Sequence, residues 1–326
     1  MDSAARSGKT TTAATSTSRP GFARSFVQEL VRNKYLYLLT LPAVVFFFVF
    51  SYLPMFGVVI AFQDYNPIKG IFGSEFVGLR NFDFFFTSSD WLKVTFNTLY
   101  LNTLFIGFGL LAQIAFAIMI SEIVWKPFQK ATQSLTLLPY FISWPIVAMF
   151  AVSLFSTDSG FINRMLAAAG MDPIHFYQNP DIWPATLTLL KIWKGTGYGV
   201  IIYLATITSI DRDIYEAAKI DGASRLQAIR YITLPMLANT TILLLLLAVG
   251  HMFYGDFGMI YAIIGDNSML YPTTDVIDTF VFRALRKYSD MSMSSAVGLY
   301  QSVVGFVLVL ITNAIVRKVN KDAALF

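Results

Sequence analysis

The sequence predicts an all-α, polytopic membrane protein with six transmembrane helices and both termini in the cytoplasm. Three observations carry that reading. The 326 residues are 56% hydrophobic and only 13% charged, with a mean hydropathy of +0.59, whereas soluble domains are about 45–50% apolar and about 25% charged. Six apolar runs follow one another, at Tyr35–Phe62, Thr98–Ile120, Leu135–Phe155, Leu187–Ile210, Leu237–Ile264 and Ser295–Val316. Each is close to the ~20 residues that cross ~30 Å of hydrocarbon. The third observation is an uneven distribution of lysine and arginine between the connecting segments, which sets the orientation.

Residues 1–34 carry six basic side chains against Asp2 and Glu29, a charge of +4 that equals the formal charge of the whole chain. No basic surface is left over for nucleic acid. The Ser-, Thr- and Ala-rich opening has nothing to bury and reads as a disordered cytoplasmic segment, although an organellar transit peptide shares its acid-poor composition. Its "SGKTTT" is not a phosphate loop, because Ser3 stands where the first glycine is needed and no strand precedes it.

The first apolar run is too long for a signal-peptide core and lacks a small-residue cleavage site, so it is read as a retained span. Pro42 and Pro54 predict kinks that neighbouring helices can tolerate. "WLKVTFNTLY" at Trp91 reads as an interfacial helix leading into the second run, its indole at headgroup level. Residues 156–186 and 265–294 are polar enough for small caps, with plain connecting loops as the alternative. The phenylalanine-rich "VVFFFVF" and "DFFF" read as apolar surface facing lipid or core.

The N-terminal segment, 121–134, 211–236 and the tail 317–326 together hold 15 Lys and Arg, against 7 in 63–97, 156–186 and 265–294. The first set is therefore placed in the cytoplasm. The transmembrane domain spans 35–316. Cysteine is absent and histidine occurs only at His175 and His251, which excludes thiolate chemistry and disfavours a metal centre or a Ser-His-Asp triad.

The segment 211–236 interrupts the apolar pattern with four basic and four acidic residues. Asp213 and Glu216 have the spacing of a capping box. Gly222 costs about 1 kcal/mol inside a continuous helix and so marks a bend. Ser224 can cap a second short helix, and Pro235 both stops it and suits the first turn of the next span. Ala217, Ala218, Gly222 and Ala223 keep the bend slim, so a second surface can approach the backbone closely. That favours a cytoplasmic protein partner over a solvated loop.

"EAAKIDGASRLQAIRYITLP" resembles the EAA loop of permease subunits in type I binding-protein-dependent ABC importers. The resemblance extends over residues 35–316, through "AFQDYNP", "FVGLRNF", "WKGTGYGVIIYLA" and "GDFGMIYAI". It is similar to the carbohydrate branch, including alginate and lipo-oligosaccharide types. The type I permease fold, a sugar substrate and a bacterial inner-membrane location are what it implies. It further implies that 211–236 is a coupling helix seated in an ATPase cleft. Glu216 would pair with the ATPase and Ala217, Ala218 and Gly222 would allow close seating, with Asp221 and Arg225 beside them. The expected partners are a second EAA-bearing permease, an ATP-binding cassette dimer and an extracytoplasmic sugar-binding protein. The chain has no Walker motif, so ATP and Mg would be held by the partner ATPase, and this chain is expected to be neither an enzyme nor a cofactor binder.

For the substrate pathway the candidates are Lys191, Trp193, Lys194, Tyr198, His251, Tyr254 and Asp256. Ionisable groups inside a span cost roughly 2.5–3.5 kcal/mol on insertion scales, so each needs a reason. Lys191, Lys194 and Tyr198 share a helical face, with Gly195 leaving room beside them. They would line a hydrated path for acidic sugars, or the lysines would snorkel to the interface. His251, Tyr254 and Asp256 either line a polar cavity, or make interhelical bonds or sit at the interface near the external end. Asn97, Asn102 and Gln113 read as packing polars. Two rival functions stand beside the permease. A secondary transporter calls for internal repeats, broken helices and midplane charges. A membrane-embedded enzyme calls for a catalytic cluster that two histidines and no cysteine scarcely supply.

Overall fold

The computed structural model describes residue 29, residues 31–88 and residues 90–319. Of the segment 1–34 expected to be disordered, residues 29 and 31–34 are described and are helix or turn leading into the first span; the rest of it and most of the C-terminal tail lie outside the described residues. Two compact units meet at Gly57 and Val58 along the chain.

In the first unit, helix α1 (Lys34–Phe47) continues into a π turn, Phe48–Tyr52, and then a 3-10 stretch that starts at Leu53. A proline at position i removes a helical N–H and its ring crowds the carbonyl of i−4. For Pro54 that carbonyl belongs to Phe50, inside the π turn, where the widened helix accommodates the ring. Pro42, by contrast, lies inside an unbroken α-helical stretch.

The second unit begins with the end of the 3-10 stretch and a two-stranded hairpin, β1 (Gln63–Asp64) against β2 (Glu75–Phe76), antiparallel with Gln63 opposite Phe76. Helix α2 (Arg80–Thr87) follows, then α3 (Trp91–Ser121), α4 (Lys126–Leu137), α5 (Trp144–Phe155), α6 (Phe161–Ala168) and α7 (Trp183–Ser209). Next come α8 (Arg212–Ile220), α9 (Arg225–Ala228), α10 (Leu234–Gly250), α11 (Phe257–Ile264), α12 (Ile277–Tyr288) and α13 (Met291–Val319). The segment at Trp91 is not a separate interfacial helix. It is the first turns of the 31-residue α3.

Among the described residues, four helices are long and apolar enough to cross a membrane, or five if the bent pair Lys126–Phe141 and Trp144–Phe155 counts as one span. The fourth apolar run lies in the 27-residue α7, whose sequence includes two lysines, three glycines and several threonines. Two runs read as continuous are broken. The third bends by 97°, because Pro139 sits in a 3-10 turn and Pro145 opens the next helix, leaving Ile142 and Ser143 extended. The fifth stops at Gly250 and resumes at Phe257.

Helix α3 is common to the buried clusters. Leu101 and Phe105 pack with Trp183, Leu187 and Met259, while Val94 joins Phe85, Ile277 and Val297. Ala117 and Ile120 pack with Tyr203, Leu204 and Leu237. The middle of α3 therefore meets the start of α7, and the end of α3 meets the end of α7, so the two helices run in parallel. Gly199 lets α7 approach α3 closely, since a Cβ there would collide with the Gln113 side chain, and Gly197 does the same towards α4, where a Cβ would collide with the Thr136 carbonyl. Gly195, read from sequence as the glycine leaving room, faces open space.

The segments 156–186 and 265–294 are built caps. Arg283 forms a bidentate pair with Asp275 and lies 4.1 Å from the Tyr271 ring centroid. Asn267 donates to the Tyr177 carbonyl and Thr273 to the Pro180 carbonyl, at 2.8 and 2.6 Å, which joins the two segments. Asn97 donates to the carbonyls of Pro272 and Asp275, tying the cap to α3. The hydrogen bond from Arg286 to Asp266 holds that guanidinium above its usual pKa.

Candidate functional site

At the end of the molecule opposite these caps, Asp211 caps α8 by accepting from the Asp213 amide at 3.0 Å. The cap thus lies two residues earlier than the Asp213 read from sequence. Glu216, Ala217, Asp221, Gly222 and Arg225 are exposed along α8 and the bend, and Ala218 is half-buried. Gly222 has φ +80° and closes α8 as a left-handed C-terminal residue. Its amide donates to the Lys219 carbonyl, and the Ala223 amide to the Ala218 carbonyl, the bonding of a Schellman motif. Ser224 and Gln227 then form a reciprocal capping box for α9.

Pro235 does not stop this second helix. α9 continues through a π turn, Ile229–Thr233, into α10. The carbonyl four residues before Pro235 belongs to Tyr231, inside that turn, so the accommodation matches that at Pro54. Among the buried residues of this region is Thr233, whose hydroxyl meets that of Tyr215 on α8 at 2.9 Å. The exposed loop is thereby bonded to the root of the following span.

Between α3, α7 and the broken fifth span lies a cavity of about 510 Å³. Lys191, Tyr198, His251, Tyr254 and Asp256 line it together, with Asn102 and Gln113 from α3. Trp193 and Lys194 do not. Trp193 is two residues past Lys191, about 200° round the helix. Lys194 donates to the Tyr140 carbonyl at 2.7 Å, with the Tyr140 and Trp144 ring centroids 5.3 and 5.2 Å away. Because α7 starts at Trp183 and not near Leu187, the two lysines lie about 12 and 16 Å along it, a turn deeper than read from sequence.

The break at 251–256 exposes backbone groups that a continuous helix would pair, and irregular backbone at such depth persists only when buried in protein or lining a cavity. Here neighbouring helices supply the partners. Asn102 donates to the carbonyls of Met252 and Tyr254 at 2.9 and 3.0 Å. Gln301 donates to the Phe253 carbonyl, and the Gly255 amide donates to Asp278. The Tyr254 hydroxyl pairs with that of Ser302. Asp256 uses both oxygens: Oδ1 accepts from the Met259 amide at 3.1 Å and caps α11, while Oδ2 lies 2.5 Å from Lys191 Nζ. Asn102 was read as a packing polar, and its bonds to the break are of that kind. The break itself went unread, although Gly250, His251, Gly255 and Asp256 crowd weak helix formers into one stretch.

Residues 106–321 match the family described as "Binding-protein-dependent transport system inner membrane component". The chain is 37% identical over 294 residues to the polygalacturonan/rhamnogalacturonan transport system permease protein YteP of Bacillus subtilis (strain 168), covering 90% of this chain and 91% of that one. It is 36% identical to protein LplB of the same organism, over 91% and 93% of the two chains. In three dimensions it is similar to a chain of a bacterial ABC transporter that imports the acidic polysaccharide alginate. That match has a TM-score of 0.82 and 33% identity, and covers 91% of this chain and 99% of the other. A second structure of a bacterial alginate ABC transporter, in complex with its alginate pentasaccharide-bound periplasmic protein, matches with a TM-score of 0.81 and 34% identity over 90% and 98% of the chains.

Proposed function

Because the chain belongs to the family of inner membrane components of binding-protein-dependent transport systems, we propose that it is a pore-forming subunit for import of uronate-containing oligosaccharides across a bacterial inner membrane. The observation that carries the substrate class is the cavity between α3, α7 and the broken fifth span, with Lys191 at its wall. Its ~510 Å³ falls within the range of about 300–1,000 Å³ usual for ligand sites. Tyr198 and Tyr254 give flat apolar faces for sugar rings, and Asn102, Gln113 and His251 give hydrogen-bonding groups for hydroxyls. The relatives named for polygalacturonan and rhamnogalacturonan and for alginate point to the same class.

In this reading the chain pairs with a second permease and with an ATPase dimer that grips α8 and the bend through Glu216, Ala217, Ala218, Asp221, Gly222 and Arg225. An extracytoplasmic binding protein delivers sugar at the capped end. ATP and Mg belong to the ATPase subunits. ATPase closure moves α8, and the Tyr215–Thr233 bond passes that movement to the fifth span.

The test is uptake by proteoliposomes holding the full importer, using oligogalacturonates and neutral oligosaccharides of equal length. Uptake that needs ATP and binding protein and favours the uronates is expected. Uptake persisting without the ATPase would turn the assignment to an ion-coupled carrier, and equal handling of both sugars would remove the uronate class.

A further inference from the structure

We propose that Asp256 is an internal counter-ion that competes with substrate carboxylates for Lys191, and so sets how strongly the cavity prefers acidic over neutral oligosaccharides. The inference rests on the substrate reading above and adds a specificity-determining residue to it. Among the residues lining the cavity, Lys191 is the one lysine or arginine. Its ammonium is 2.5 Å from Asp256 Oδ2, and the two side chains are 37% and 23% exposed. Both are therefore within reach of a ligand. The pair is neutral, so the cavity lacks the net positive field that Lys191 alone would give it.

The two partners are held very differently. Asp256 is fixed from its other oxygen, Oδ1, which accepts the Met259 amide at the start of α11. Lys191 sits on a flexible four-carbon stem with three rotatable donors. Lys191 can thus turn one donor to a substrate carboxylate, whereas Asp256 stays in place and repels that carboxylate. Among the described residues no second lysine or arginine lines the cavity, since Lys194 is turned to the Tyr140 carbonyl and the Trp144 ring. Asp278 lies behind Gly255, accepting from its amide and from Gln301, and does not line the cavity.

Asp256→Asn separates charge from structure. An asparagine side-chain oxygen caps a helix as well as aspartate does, so the bond to Met259 is retained while the competing charge is lost. The experiment measures saccharide binding to the purified permease–ATPase complex without binding protein, so that the binding protein's own selectivity does not enter. The probes are tetragalacturonate and its neutral methyl ester. Asp256→Asn is expected to tighten tetragalacturonate binding by about tenfold, the scale of one partly screened charge contact, and to leave the ester unchanged. Lys191→Met is expected to weaken tetragalacturonate alone. Ester affinity and the thermal midpoint serve as folding controls. Equal changes for both probes, or no gain in Asp256→Asn, would overturn the counter-ion role while leaving the substrate reading intact. A wild-type complex that binds neither probe would remove the substrate reading, and this proposal with it.

Discussion

The Tyr215 hydroxyl lies 2.9 Å from the Thr233 hydroxyl, joining an exposed amphipathic helix to the π turn at the base of the fifth span. A net hydrogen bond of this kind contributes about 1 kcal/mol, which shifts a two-state balance about fivefold. Tyr215→Phe should therefore lower substrate-stimulated ATPase activity and uptake by up to about fivefold at unchanged membrane yield. Thr233→Val should do the same, and the double variant should be no worse than either single one. Additive losses would show that the two hydroxyls act separately.

Glu216→Lys places a cation on the exposed face of α8, where it should block docking without disturbing the fold. Gly222 needs a paired design, because its φ of +80° strains most side chains whatever the space. Asparagine tolerates that conformation, so Gly222→Asn controls for backbone strain, and Gly222→Arg adds bulk at a position with nothing within 4 Å in this chain. Uncoupling in Glu216→Lys and Gly222→Arg, with near-normal ATPase stimulation in Gly222→Asn, is the expected pattern. Normal stimulation in all three would argue against a docking surface.

How much of this site could be read from sequence depended on how local its causes are. The bend at Gly222 and the cap at Ser224 follow from residues two to four apart, and Lys191 and Tyr198 share a face by helical repeat alone. The cap at Asp211 was missed because Asp213, two positions on, offers the same chemistry with an acid three residues further. The break at 251–256 was missed because its stability comes from Asn102, Asp278 and Gln301, distant in the chain. The same distance hid the partner of Lys191, 65 residues away. Two lysines on one face read from sequence as needing outside neutralisation, yet Asp256 neutralises one and a carbonyl with two rings engages the other.

Asn102 offers a direct test of how the broken span is held. Replacing it with alanine leaves the Met252 and Tyr254 carbonyls without the donor shown for them. These bonds are part-buried and exposed, so losing them costs the net worth of a hydrogen bond each, roughly 0.5–1.5 kcal/mol. Asn102→Ala should lower the thermal midpoint of the detergent-purified complex, whereas Leu99→Ala, one turn away and half-buried, removes only packing. A midpoint equal to wild type for Asn102→Ala would mean that the break is stabilised elsewhere.

Orientation is testable without any substrate. Fusing a reporter after Lys321 should give a cytoplasmic signal, and one inserted at Asp172 an extracytoplasmic signal, since α3 and α7 run in parallel and their connecting segments group by end. A reversed pair of signals would invert the assignment drawn from the lysine and arginine distribution.

The Tyr177 phenol makes stability depend on pH with a defined sign. It lies in the cap between α6 and α7, and its buried hydroxyl has no hydrogen-bond partner among the described residues. Burial pushes the phenol up to about 12 from 10.0. The folded state therefore holds this proton more tightly than the unfolded chain does. The associated stability is fully present below pH 10 and is lost as pH rises towards about 12. Tyr177→Phe removes both the unpaired hydroxyl and the titration. At neutral pH the variant should be as stable as wild type or more so by about 1 kcal/mol, the desolvation cost of an unpaired polar group. Its advantage should widen above pH 10. Thermal midpoints of the purified complex at pH 7.5 and pH 10.5, wild type against Tyr177→Phe, supply the check. A difference that stays constant or narrows with pH would show that the Tyr177 phenol ionises in the folded protein as readily as in water.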